Sequence, residues 1–153
     1  MKLRIKTLTT FAFIALTIGL FSSTQSASAA SDCKEVRANL SGGSGSGTVT
    51  NGGILNGTTQ AVFTSMFTPT PDPTTFSFTD DLTVTTDKGV LKTHNVAIFD
   101  VARGVFSAID RIDPNASTGG FAGATGVLYI NGSTPDGGAT IHAQITGEIC
   151  FES

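Results

Sequence analysis

Few side chains in this sequence are equipped for chemistry, and acidic ones dominate: twelve Asp and Glu against two His and two Cys. Asp100 follows the apolar stretch Val96-Ala97-Ile98-Phe99, where a desolvated carboxyl would have a raised pKa and could act as an acid or base. The competing reading pairs it with Arg103 as a solvated carboxylate. Asp110-Arg111-Ile112-Asp113-Pro114-Asn115 gathers oxygen ligands near a turn but lacks the ligand–Gly–distal-Glu order of a calcium loop. His94 and His142 have no partners at ligand spacing, so neither a metal nor a cofactor is expected. No Gly-x-Ser-x-Gly elbow is present, which argues against a Ser/His/Asp hydrolase. Two apolar sets are candidates to line a ligand cavity: Phe63, Met66 and Phe67, and Phe76, Phe78, Leu82 and Val84. Ordinary core packing is the alternative for both.

Those residues must be carried by strands. Past residue 30 no segment shows a 3.6-residue apolar period. Thr, Gly, Val, Ile and Phe predominate, punctuated at short intervals by Gly, Asn, Asp and Pro. The pattern predicts strands at Glu35–Leu40, Gly47–Thr50, Thr59–Thr68, Thr75–Asp80, Asp81–Thr86, Val90–Asp100, Gly104–Asp113, Ala124–Asn131 and Thr140–Phe151. Asp87-Lys88-Gly89 and Pro135-Asp136-Gly137-Gly138 read as hairpin turns, since Gly takes the positive φ they need. Pro69, Pro71 and Pro73 make residues 68–73 a stiff surface loop, and residues 41–47 are a flexible Gly/Ser connection by composition.

Lys2, Arg4 and Lys6, an apolar run over residues 11–21 and the small-residue site Ala27-Ser28-Ala29 make residues 1–29 a signal peptide, leaving 30–153 as one domain. Removing three basic residues leaves six against twelve acidic ones. Such an acidic chain has no electrostatic footprint for nucleic acid or anionic membrane. It also has no second apolar run of spanning length. Export implies a secreted or periplasmic location, where Cys33 and Cys150 form a disulfide. Period-two alternation puts Ile141, Ala143, Ile145 and Ile149 on one face and Cys150 on the other; Val36, Ala38 and Leu40 likewise oppose Cys33. The simplest geometry sets the first and last strands side by side with the disulfide outside. That closes an antiparallel barrel of about eight strands; a two-sheet sandwich is the alternative.

The stretch Ser117-Thr118-Gly119-Gly120-Phe121-Ala122-Gly123-Ala124-Thr125-Gly126, followed by Val127-Leu128-Tyr129-Ile130, resembles a turn motif of the allene oxide cyclase-like and dirigent-like barrels. There a Gly-Thr-Gly-x-Phe-x-Gly turn joins two long strands; this chain departs from it with Ser-Thr-Gly-Gly-Phe. Residues 104–114 and 147–151 look like small bacterial secreted relatives of that group, so the resemblance covers about fifty residues, 101–151. It implies an eight-stranded barrel with an apolar interior. The glycines Gly119, Gly120, Gly123 and Gly126 act as fold determinants, and Phe121 plugs the barrel end. The residues that carry catalysis in plant members match no positions here.

Three functions follow as expectations. The first is a secreted, non-catalytic barrel that either has a small apolar ligand as its partner or simply acts as a stable extracellular module. The second is an isomerase or cyclase of the allene oxide cyclase kind, which needs at least one inward-facing polar group. The third is an extracellular interaction module, which predicts an exposed apolar patch.

Overall fold

Alternating apolar and polar residues, interrupted by glycine turns, build ten strands in the computed structural model, which describes residues 31–43 and 45–152. They are β1 (Ser31–Gly42), β2 (Ser46–Thr50), β3 (Gly57–Phe63), β4 (Thr68–Pro69), β5 (Thr75–Thr86), β6 (Gly89–Asp100), β7 (Val105–Ile112), β8 (Thr118–Gly119), β9 (Thr125–Ser133) and β10 (Ile141–Glu152). Eight of them form a closed antiparallel barrel in the order β1-β2-β3-β5-β6-β7-β9-β10. β1 and β10 pair along twelve residues, and this contact closes the ring. Closure excludes the sandwich. The short β4 pairs with β5 and β8 with β6. The signal peptide lies outside the described residues. Among those residues no helix is long and apolar enough to cross a membrane.

The two ends of the barrel differ. At one end Val36, Leu55, Leu91, Phe121, Leu128 and Ile149 pack into a filled core. Leu55 comes from the 3-10 turn Gly53–Leu55, and Phe121 from the loop between β7 and β9. Phe121 is 1 % exposed, with its ring centre 6.4 Å from that of Phe151 and the two rings tilted. Gly119 and Gly123 turn this loop with φ of +64° and +73°. The Cys33–Cys150 disulfide lies at the same end on the outer face, between residues in direct register.

Three local expectations are corrected. Residues 75–86 form one strand rather than two that break between Asp80 and Asp81. Adjacent carboxylates are tolerated because Asp80 points inward and Asp81 outward, where it meets His94. The strand expected over residues 59–68 ends at Phe63. Beyond it, the backbone N–H groups of Thr64 and Ser65 both donate to the Thr79 carbonyl, folding the chain back before β4 re-pairs with β5. The Gly/Ser connection is the tight β1–β2 hairpin, in which Gly42 stands opposite Gly47 and the Gly43 N–H donates to the Ser46 carbonyl.

Candidate ligand cavity

At the end opposite the plug, the barrel holds a cavity of about 240 Å³. Its walls come from inward positions of β3, β5, β6, β7 and β10, chiefly Ala61, Phe78, Leu82, Ala97, Phe106, Ala108 and Ile141. Alanines at Ala97 and Ala108, rather than larger side chains, leave the space open. Around the mouth stands a collar of phenylalanines. Phe67 lies 5.7 Å from Phe63, 4.9 Å from Phe78 and 6.5 Å from Phe99, ring centre to ring centre. The fold-back after β3 delivers Phe67 to this place. Of the expected lining residues, Phe63, Phe67, Phe78 and Leu82 line the cavity, whereas Val84 is packed in the core. Met66 is 85 % exposed at the loop tip, and Phe76, half-buried further along β5, is not in the wall.

The floor is polar, and sequence reasoning did not place it. Asp80, Asn95 and Asp110 form one transverse row, each opposite the next across β5, β6 and β7. Asp110 is fully buried and accepts hydrogen bonds on both oxygens, from Thr93 Oγ1 at 2.6 Å and from Asn95 Nδ2 at 3.2 Å. Burial pushes its pKa up to about 7, with Asp80 adding to the rise and the two donors opposing it. Asp80 and Asn95 line the cavity and are 6 % and 7 % exposed. Burial raises Asp80 to about 6, helped by the neighbouring charge of Asp81. Among the described residues, Asn95 Oδ1 is buried without a hydrogen-bond partner, and no donor reaches the Asp80 carboxyl.

Asp100 turns out to be the Arg103-paired carboxylate. It accepts from Arg103 Nη1 at 2.6 Å and from the backbone N–H groups of Ala102 and Arg103, capping the β6–β7 turn. These bonds, led by the Arg103 side chain, hold its pKa below the usual carboxylate value. Asp113 caps its own loop through the N–H groups of Asn115 and Ala116, which lower its pKa. His94 lies outside the barrel between Asp81 (2.8 Å) and Asp113 (3.3 Å), and the Asp81 hydrogen bond raises its pKa. His142 is exposed. The grouping of Cys33, Glu148 and Cys150 has ligand-like spacing, but both sulfurs are committed to the disulfide. On the outer wall Val96, Ile109 and Tyr129 form an exposed row across β6, β7 and β9.

The signal that would have found the floor is alternation carried through whole strands. Phe76, Phe78, Asp80, Leu82 and Val84 share one parity, as do Leu91, Thr93, Asn95 and Ala97, and Phe106, Ala108, Asp110 and Ile112. In comparisons with known proteins, no family model, no curated protein and no solved structure matches this chain.

Proposed function

We propose that this protein is an exported β-barrel that binds one small apolar molecule beneath the phenylalanine collar, without transforming it. The observation that carries this reading is the contrast between the two ends, one packed solid and the other opening into an apolar cavity. Pockets for small ligands have this character, apolar walls with a few convergent polar groups. Export is supported by the disulfide and by the residue pattern of 1–29. The closed eight-stranded barrel and the buried Phe121 plug support kinship with the allene oxide cyclase-like and dirigent-like barrels. Mass spectrometry of an organic extract of the natively exported protein tests the reading, with an unrelated exported protein as control. One apolar compound at near-equal stoichiometry is expected. A blank, together with no binding of a neutral fluorophore such as Nile red, would overturn it.

Asp80 and Asn95 favour a second reading, an isomerase or cyclase of an apolar substrate. A carboxyl with a pKa of about 6 is effective as an acid or base near neutrality. The extracted compound, incubated with the protein, would then yield a product of unchanged mass, and Asp80→Asn would stop its formation. A third reading, an interaction module, rests on the exposed row Val96, Ile109 and Tyr129. Concentration-dependent association in sedimentation, lost in Ile109→Lys, would favour it.

A further inference from the structure

The polar floor discriminates among apolar ligands, an inference that rests on the cavity-binding reading above. Every unsatisfied polar group there is an acceptor. Asn95 has its Nδ2 committed to Asp110, so the amide presents Oδ1, buried and unpartnered. Asp80, its neighbour across β5 and β6, presents a carboxyl that accepts no hydrogen bond from the described residues. Directly opposite residues on paired strands have Cβ atoms roughly 5 Å apart, so one small group can reach both. Among the described residues, no Lys, Arg or His lines the cavity. A second carboxyl, Asp110, stands behind Asn95 and adds to the negative potential. A buried acceptor without a donor is costly, and one standing beside an open carboxylate calls for a group with several donors.

We infer that the cavity takes an apolar amine, whose ammonium group donates to the Asp80 carboxylate and to Asn95 Oδ1 while its apolar body fills the space under the collar. A hydroxyl supplies one donor and no charge. A carboxylate would place a third negative group beside Asp80 and Asp110. The ammonium supplies up to three donors and the opposite charge, a charge-assisted arrangement in a site sheltered from water. Phe63, opposite Asp80 in the β3–β5 register, and Phe78, two residues before it on the same face, put aromatic rings near the cation. The acidic balance of the chain beyond residue 29 attracts cations from a distance.

The groups that set the charge of Asp80 are few. Burial comes first and Asp81 second, from its own strand, with His94 beyond Asp81 on the outer face and Asp110 facing from β7 across Asn95. β3 offers only Ala61 and Phe63, and β6 offers the neutral Asn95 and Thr93. Protonating Asp80 therefore removes the charge that the ammonium meets.

Octylamine, octanol and octanoate, matched in length, are competed against Nile red on the disulfide-intact chain. At about pH 7.5 octylamine is expected to bind at least tenfold more tightly than octanol, the scale of one hydrogen bond to a charged group, with octanoate weakest. The advantage of the amine shrinks as the pH is lowered through about 6, whereas octanol is unaffected. Asp80→Asn erases the advantage and leaves octanol binding in place. Equal binding of amine and alcohol, or an advantage that survives Asp80→Asn, overturns the inference while the cavity reading stands. If Nile red and all three compounds fail to bind, the cavity reading fails and the amine inference with it. Should Asp80→Asn not fold, the pH series on the unaltered chain decides alone.

Discussion

Asn95 donates from Nδ2 to Asp110 Oδ2 at 3.2 Å, and that bond sets which way its amide faces. With Thr93 bonded to the other oxygen, Asp110 is satisfied by the protein and serves the wall. Asp80, one strand further round, receives no such donors. Two buried carboxyls thus differ in surroundings: Asp110 is held by Thr93 and Asn95, and Asp80 lines the cavity with no donor among the described residues.

The buried pair gives the fold an unusual pH dependence. Asp80 and Asp110 have folded-state pKa values of about 6 and about 7, above the ordinary 3.8. The folded state therefore binds more protons than the unfolded chain between pH 4 and 7, and stability falls as pH rises through that window. His94, raised by Asp81, acts in the same direction at its own upper edge. Asp72, Asp100, Asp113 and Asp136 are lowered by hydrogen bonds, so their contributions disappear only in stronger acid. Urea unfolding should show greatest stability near pH 4–5 and a loss of roughly a few kcal/mol by pH 8. Asp110→Asn keeps the shape and removes the charge, so its profile should be flatter. A profile still rising from pH 5 to 8 would contradict this.

Cys33 and Cys150 join the two strands that close the ring, 117 residues apart in the chain. A bridge over so long a loop stabilises by about 5 kcal/mol in the chain-entropy model, and removing a native disulfide from a small secreted domain typically costs about 2–5 kcal/mol. Cys33→Ser with Cys150→Ser should lower the unfolding free energy by that order, measured by urea titration. Thiol labelling of the native protein should find no reactive cysteine before reduction.

Filling the cavity should abolish binding without undoing the barrel. Ala97→Leu and Ala108→Leu each project a larger side chain into the open space. The affinity for Nile red is expected to drop at least about tenfold, because the ligand's own volume is taken. Ile109→Ala, on the outer wall, serves as the control with unchanged affinity. Circular dichroism checks that each variant keeps its strands.

The glycine turn separates backbone strain from steric collision. Gly123 has φ of +73° and open space where a Cβ would go, so Gly123→Ala should cost about 1–2 kcal/mol, the strain of the left-handed region. Gly126 has φ of +136°, and a Cβ there would run into the Glu148 backbone carbonyl across β9 and β10. Gly126→Ala should cost a further ~1–3 kcal/mol. Equal costs in thermal denaturation would argue against this packing.

Much of the barrel was legible because alternation is local. The parity of Ile141, Ala143, Ile145 and Ile149 put Cys150 outside, that of Val36, Ala38 and Leu40 did the same for Cys33, and adjacent terminal strands were then the simplest geometry, with a sandwich left as the alternative. The turns at Gly89 and Gly137 follow from glycine's freedom at positive φ. Asp80 was obscured because two successive carboxylates look like the end of a strand. Their opposite orientations become plain only when β5 is seen to continue beneath both.

By itself the sequence determined the all-β character, the faces of the terminal strands and the disulfide, since each depends on near neighbours or on a single possible pairing. Only the tertiary structure decided where the cavity lies, that Phe67 folds over it, and that Asp80 and Asp110 rather than Asp100 are desolvated. Desolvation belongs to a side chain's surroundings, and those surroundings arrive from other strands. Asp100 keeps its charge because Arg103 and two backbone N–H groups meet it within three residues, whereas Asp80 and Asp110 lie 30 residues apart and become neighbours only through the shared register of β5, β6 and β7.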